Sequence, residues 1–228
     1  MLHTRTLAPE LLTVLHQLME LESLRDFRVV GGTALALQLG HRESFDIDLF
    51  SSNHFPTEEI YSELKEKFMP EGGIKVAKDV MITLKINGVK TDILDDKKKF
   101  IREAIVEDGI RMAHPEEIIA MKIKATCDPF SGRKTQKDLA DIATLLDTYT
   151  IKEMMGFLQE KYTTMAPYVE NVILQLNRDF NIAERNSILP KMFNGMTWEK
   201  IQERINKGLR EYFDGIIAER EKVLKQKK

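Results

Sequence analysis

Strand-like runs end before residue 100 and helical periodicity fills the remainder of the chain, a segregation that limits the fold more than any single motif does. The runs 27–30, 44–50, 74–77, 80–86 and 89–94 alternate or cluster β-prone residues between turn signals, and Asn87-Gly88 joins the last two as a two-residue hairpin. Helices are expected over 9–25, where Pro9 opens a stripe of Leu11, Leu12, Leu15, Leu18 and Leu21, and over 57–68. A further short helix should follow the Gly31-Gly32 turn, with Thr33 as its N-cap. Beyond residue 100 the pattern predicts helices over 115–126, 135–148, 151–161, 165–180 and 197–225. Strands followed by helices imply an α+β chain. The expected division is a mixed β-sheet core with flanking helices over residues 1–110, then a helical domain over 111–228.

The 228 residues suit one large domain or two small ones. Lys and Arg number 34 against 36 Asp and Glu, which excludes a protein that grips nucleic acid by bulk charge. The single Cys127 forms no intramolecular disulfide and has no partner at metal-ligand spacing. The N-terminus lacks the pattern of a secretory signal and no long apolar run is present, so a cytoplasmic protein with no membrane partner is expected. The five histidines show no metal spacing, and His41 reads as a surface loop residue. Trp198 follows Thr197 at a helix start and is expected to anchor a core rather than stack a base.

Chemistry concentrates in residues 31–50. On a strand, Asp46 and Asp48 share a face at ~7 Å, while Phe45, Ile47 and Leu49 should point into the core. Paired carboxylates repel, and hard Mg²⁺ relieves the repulsion; the alternative is an edge strand with a solvated acidic face. Asp92 lies on a later strand, sharing its face with Lys90 and Leu94. Were the two strands neighbours, three carboxylates would meet on one surface, able to hold two cations ~3.5–4 Å apart for in-line phosphoryl displacement. Gly31 and Gly32 allow close backbone approach to a phosphate, and Thr33 adds a hydroxyl; the plainer reading is a tight turn with an N-cap.

These residues resemble the minimal nucleotidyltransferases of the DNA polymerase β superfamily, and within it the AbiEii/AbiGii toxin group. The superfamily pattern of a Gly-Gly or Gly-Ser/Thr turn, then D-x-D, then a third Asp on a later strand falls on Gly32 and Thr33, Asp46-Ile47-Asp48, and Asp92. The group's R-x-S/T-x-D-x-D-h stretch is matched by Arg42-Glu43-Ser44-Phe45-Asp46-Ile47-Asp48-Leu49. In the helical half, Met121-Lys122-Ile123-Lys124-Ala125 resembles the group's E-K-x-x-A with Met in place of Glu, and Lys137-Asp138-Leu139-Ala140-Asp141 resembles its basic residue followed by D-x-x-D. Between 122 and 137, five basic residues face only Asp128, a local excess suited to a triphosphate. Exposed pairs of Lys137 with Asp141 and of Lys134 with Asp138 are the plainer reading of that segment.

The resemblance implies an enzyme that moves an NMP from an NTP to an acceptor hydroxyl, with the helical domain completing the nucleotide cleft. Asp46, Asp48 and Asp92 would hold Mg²⁺ or Mn²⁺, and Asp92 would also help deprotonate the hydroxyl. Gly31, Gly32, Thr33, Arg42 and Ser44 would hold the leaving pyrophosphate, and Lys122 and Lys137 would stabilise developing charge. Asp138 and Asp141 would orient Lys137 or the acceptor. It further implies the toxin of a toxin–antitoxin or phage-defence pair, with a cognate antitoxin and a tRNA, other RNA or protein acceptor. Two alternatives share the motifs: a small-molecule enzyme that modifies antibiotics, and an inactive nucleotide-binding protein, against which the three intact Asp positions count.

Overall fold

The computed structural model describes residues 1–53, 56–70, 72–77, 81–127, 135–163 and 180–226. They form two compact units, one of Met1–Ile118 with Pro190–Asn194, the other of Ile119–Leu189 with Gly195–Lys228.

The first unit is built on a mixed sheet of seven described strands. These are β1 (Arg28–Val29), β2 (Asp46–Ser51), β3 (Lys75–Ala77), β4 (Met81–Ile86), β5 (Val89–Asp95), β6 (Ile105–Glu107) and β7 (Ile110–Met112), in the order β3-β4-β5-β2-β1-β7-β6. β2 is central, parallel to β5 on one side and antiparallel to β1 on the other. Alternation makes the sheet two-faced, because Ile47, Leu49, Ile82, Leu84 and Ile93 are buried while Asp46 and Asp48 between them stay part-exposed. The buried face meets the apolar stripes of α1 (Pro9–Met19), with Leu11, Val14, Leu15 and Leu18, and of α3 (Thr57–Phe68), with Ile60 and Leu64. Between β1 and β2 runs α2 (Gly31–Leu39), closed by Gly40 in the left-handed conformation.

Asn87 and Gly88 both take positive φ, 48° and 81°, as the expected β4–β5 hairpin requires. A second hairpin, β6–β7, was not anticipated. It turns at Asp108 and Gly109, with φ of 50° and 74°, between Ile-Val-Glu and Ile-Arg-Met. The Asp-Gly pair was its signal, diluted by strands of three residues each.

Three local expectations are corrected. Phe45 is 62% exposed because β2 begins one residue later, after Ser44 has made an isolated bridge to Leu7. The first helix stops at Met19, and a 3-10 turn over Glu22–Leu24 replaces its predicted end. His41 is buried, its carbonyl accepting from the Phe193 N–H at 2.7 Å, because residues 190–194 return to the first unit and cover it.

The second unit is helical. α4 (Pro115–Cys127) leads into it, followed by α5 (Gln136–Leu145), α6 (Ile151–Lys161), α7 (Phe180–Asn186) and α8 (Trp198–Gln226). Thr135 caps α5 through the Asp138 N–H, and Thr150 with Glu153 forms a capping box on α6. The long α8 packs on α5 and α6, burying Ile201, Ile205 and Leu209. Trp198 is part-buried and meets Phe180 edge to face at 6.0 Å. Of the helix expected over 165–180, all but Phe180 lies outside the described residues, as does Val80 of the fourth strand. No described helix is long and apolar enough to cross a membrane.

Candidate active site

The register between β2 and β5 assembles the acidic surface. Asp48 stands directly opposite Asp92, and Asp46 opposite Lys90. On the other side of β5, the antiparallel β4 sets Thr83 opposite Asp92 and Lys85 opposite Lys90. The pleat therefore brings the three carboxylates expected from the sequence onto one face, together with Thr83, Lys85 and Lys90. Like charges directly opposite across a sheet destabilise it unless something compensates.

Part of the compensation is supplied by the protein. Thr83 donates its hydroxyl to Asp92 Oδ1 at 2.8 Å, and Lys90 donates from Nζ to Oδ2 at 2.5 Å. Burial alone would lower the Lys90 pKa, but the Asp92 hydrogen bond and the charges of Asp92, Asp46 and Asp48 outweigh it and leave the ammonium above its ordinary value. The sequence showed Lys90 on the face of Asp92, and nothing in it marked Thr83, because a cross-strand partner is visible only once register is known.

The glycine pair is shaped by the same surface. Gly31 has φ of +66°, and a Cβ there would lie 2.8 Å from Asp48 Oδ2. A Cβ on Gly32 would collide with the Arg42 guanidinium. The turn thus lets a carboxylate and a guanidinium lie against bare backbone at the start of α2, beside the helix's free N–H groups.

The other residues of the segment brace this turn. α2 begins at Gly31 with Val30 at the N-cap position, so Thr33 lies inside the helix. Its buried hydroxyl donates to the Asp46 carbonyl and lies 2.8 Å from Ser44 Oγ, tying α2 to the start of β2. Arg42 is 2% exposed and donates to the Glu43 carbonyl at 2.7 Å, while its backbone bridges to Met192. Direct ligand contact was expected of Thr33, Arg42 and Ser44. All three are buried, packed at the junction of α2 with the start of β2.

In the second unit, Lys122 on α4 is 8% exposed and pairs with two carboxylates of α5, Asp138 Oδ1 at 3.0 Å and Asp141 Oδ2 at 2.6 Å. Asp138 also accepts from the Thr135 hydroxyl at 2.5 Å, and Asp141 is fully buried. The expected basic cluster is therefore changed, since Lys122 is neutralised inside the unit and Asp141 is no exposed partner of Lys137. Lys137 itself is exposed on α5. Asp128, Arg133 and Lys134 lie outside the described residues.

Carboxylate oxygens on one face are the donors a hard divalent cation prefers, and Asp46 and Asp48 fit that chemistry. Among the described residues, though, no three Asp, Glu, His or Cys side chains converge closely enough to enclose an ion by themselves. The remaining ligands would come from phosphate oxygens and water, as is usual for Mg²⁺.

A family model described as the nucleotidyl transferase AbiEii toxin of type IV toxin–antitoxin systems matches residues 14–219. An uncharacterized protein of Aquifex aeolicus is 24% identical over 222 residues, spanning 92% of this chain and 99% of its own length. Among solved structures, JHP933 from Helicobacter pylori superposes with a TM-score of 0.58 at 18% identity, covering 96% of this chain and 95% of its own. A second H. pylori structure, provisionally described as a nucleotidyltransferase, gives a TM-score of 0.56 at 20% identity, with 91% and 92% covered. Both structures show the same fold.

Proposed function

The chain belongs to the AbiEii nucleotidyl transferase toxin family of type IV toxin–antitoxin systems, and from that premise we propose that it transfers an NMP from an NTP to a hydroxyl of a cellular macromolecule, tRNA being the first to test. The observation that carries the reading is the register placing Asp48 against Asp92, with Asp46 on the same face and Gly31 against Asp48.

In this reading the backbone N–H groups at Gly31 and Gly32 receive the phosphates at the start of α2, where the helix dipole favours negative charge. Thr33, Ser44 and Arg42 hold that turn against β2. The acceptor oxygen forms a bond to the α-phosphorus, the bond from that phosphorus to the bridging oxygen breaks, and pyrophosphate leaves with the electron pair. The acceptor proton passes to Asp92, whose carboxylate keeps lone pairs beyond those taken by Thr83 and Lys90. Asp46 and Asp48 would hold Mg²⁺ or Mn²⁺, which when bound neutralises phosphate charge as the pyrophosphate departs. Lys122, Asp138 and Asp141 fix α4 to α5, and the role of Lys137 as a phosphate contact rests on the family resemblance. Family membership also supports a separately encoded antitoxin as a partner.

Incubating the protein with Mg²⁺, each α-labelled NTP and cell extract should label one class of acceptor. Asp46→Asn with Asp48→Asn should remove that label by at least ~100-fold, the scale of losing a principal electrostatic contributor to the transition state. Undiminished labelling by the double variant would sink the mechanism. Labelling of aminoglycosides or lincosamides in place of macromolecules would reassign the acceptor to small molecules.

A further inference from the structure

We propose that Lys90 is a resident substitute for the second divalent cation, so that the site takes up one divalent ion, at Asp46 and Asp48, where three free carboxylates would take two. The inference rests on the nucleotidyl-transfer reading above and concerns how that site is charged.

The ammonium is central to the acidic surface. Lys90 stands opposite Asp46 in the strand register, and its Nζ lies 2.5 Å from Oδ2 of Asp92, the residue opposite Asp48. The other Asp92 oxygen is taken at 2.8 Å by Thr83. Both Asp92 oxygens therefore already accept a hydrogen bond from the protein, which leaves one lone pair on each for any further partner. A second cation held by Asp92 would have to share that carboxylate with the Lys90 ammonium, whose like charge opposes it. Lys85, opposite Lys90 on β4, adds positive charge to the same side. The Asp92 side chain is only 12% exposed while that of Lys90 is 56% exposed, so the competition is felt at the buried carboxylate and is partly screened on the ammonium side.

The substitution has a chemical consequence. An ammonium is a covalently tethered charge that donates hydrogen bonds and whose presence does not depend on metal concentration. Lys90 would hold the Asp92 carboxylate oriented toward the acceptor hydroxyl without a second ion, so it is a positioning residue for the proton acceptor.

Manganese binding separates the possibilities without relying on turnover. The full chain, with a non-hydrolysable NTP analogue of each base in turn, is titrated with Mn²⁺ and followed by electron paramagnetic resonance. Wild type should bind one Mn²⁺ per chain with no spin coupling. Lys90→Met should bind two, coupled as a close pair, and Lys90→Gln provides the same readout should the methionine variant fold poorly. Two coupled ions in wild type, or one ion in both variants, would overturn the role of Lys90 and leave nucleotidyl transfer standing. No nucleotide-dependent Mn²⁺ in any of the proteins would remove the underlying reading as well.

Discussion

At the scale of single residues, the glycine turn is the most tightly specified part of the site. Gly32 lies under the guanidinium of Arg42, which is itself 2% exposed and so has little room to retreat. Gly32→Ala should therefore cost about 1–3 kcal/mol, the usual penalty for overfilling a packed region. Thermal unfolding measures it. Pairing Gly32→Ala with Arg42→Ala tests the cause: the double variant should lose less than the sum of the two single losses, because the collision disappears with the guanidinium. Gly31 is constrained by its φ of +66° and by the nearby Asp48 carboxylate, so backbone conformation and side-chain space both exclude a larger residue there.

At the scale of elements, the joint between α4 and α5 is an ion cluster rather than an apolar seam. Lys122 reaches Asp138 and Asp141 from one helix to the other, with Asp141 fully buried. Asp141→Ala removes the buried one of the two carboxylates on Lys122, leaves Asp138 in place, and should destabilise the protein by about 1–3 kcal/mol, the usual loss for a buried hydrogen bond to a charged group. Exposed Lys137 on the same helix provides the contrast, since Lys137→Ala should shift stability by no more than about 0.5 kcal/mol. Urea midpoints of the two variants decide the matter, and equal midpoints would refute the structural role of the cluster. Three residues that the family motif marks, Lys122, Asp138 and Asp141, thus also join α4 to α5 in this chain.

For the molecule as a whole, charge is divided rather than absent. The first hundred residues carry 13 basic and 16 acidic side chains and the remainder 21 and 20, so neither half is a polyelectrolyte. An RNA acceptor would be held through few phosphates. The expected slope of log affinity against log salt for tRNA binding is then shallower than about −3, corresponding to fewer than about four neutralised phosphates. A slope near −6 would show a basic footprint that the charge distribution gives no reason to expect. The family's antitoxin partner, by contrast, leaves no recognisable mark in the composition.

The alternation of residues 46–50, the Asn87-Gly88 turn and the limits of α3 and α6 could all be read along the chain, because each depends on residues within a few positions of one another, whereas the short strands β6 and β7 beyond residue 100 could not. The D-x-D pair and the glycine turn were legible for the same reason. Local sequence also raised the right question about Asp92 without answering it. Only tertiary structure decided that β5 lies parallel to β2, that Asp92 faces Asp48, and that Thr83 and Lys90 occupy its two oxygens. It alone turned Thr33, Arg42 and Lys122 inward, where the sequence suggested ligand contacts. The physical reason is common to these cases: strand register and burial are set by partners distant along the chain, and a charged or hydroxyl side chain has the same local signature whether it meets a substrate or another residue of its own fold.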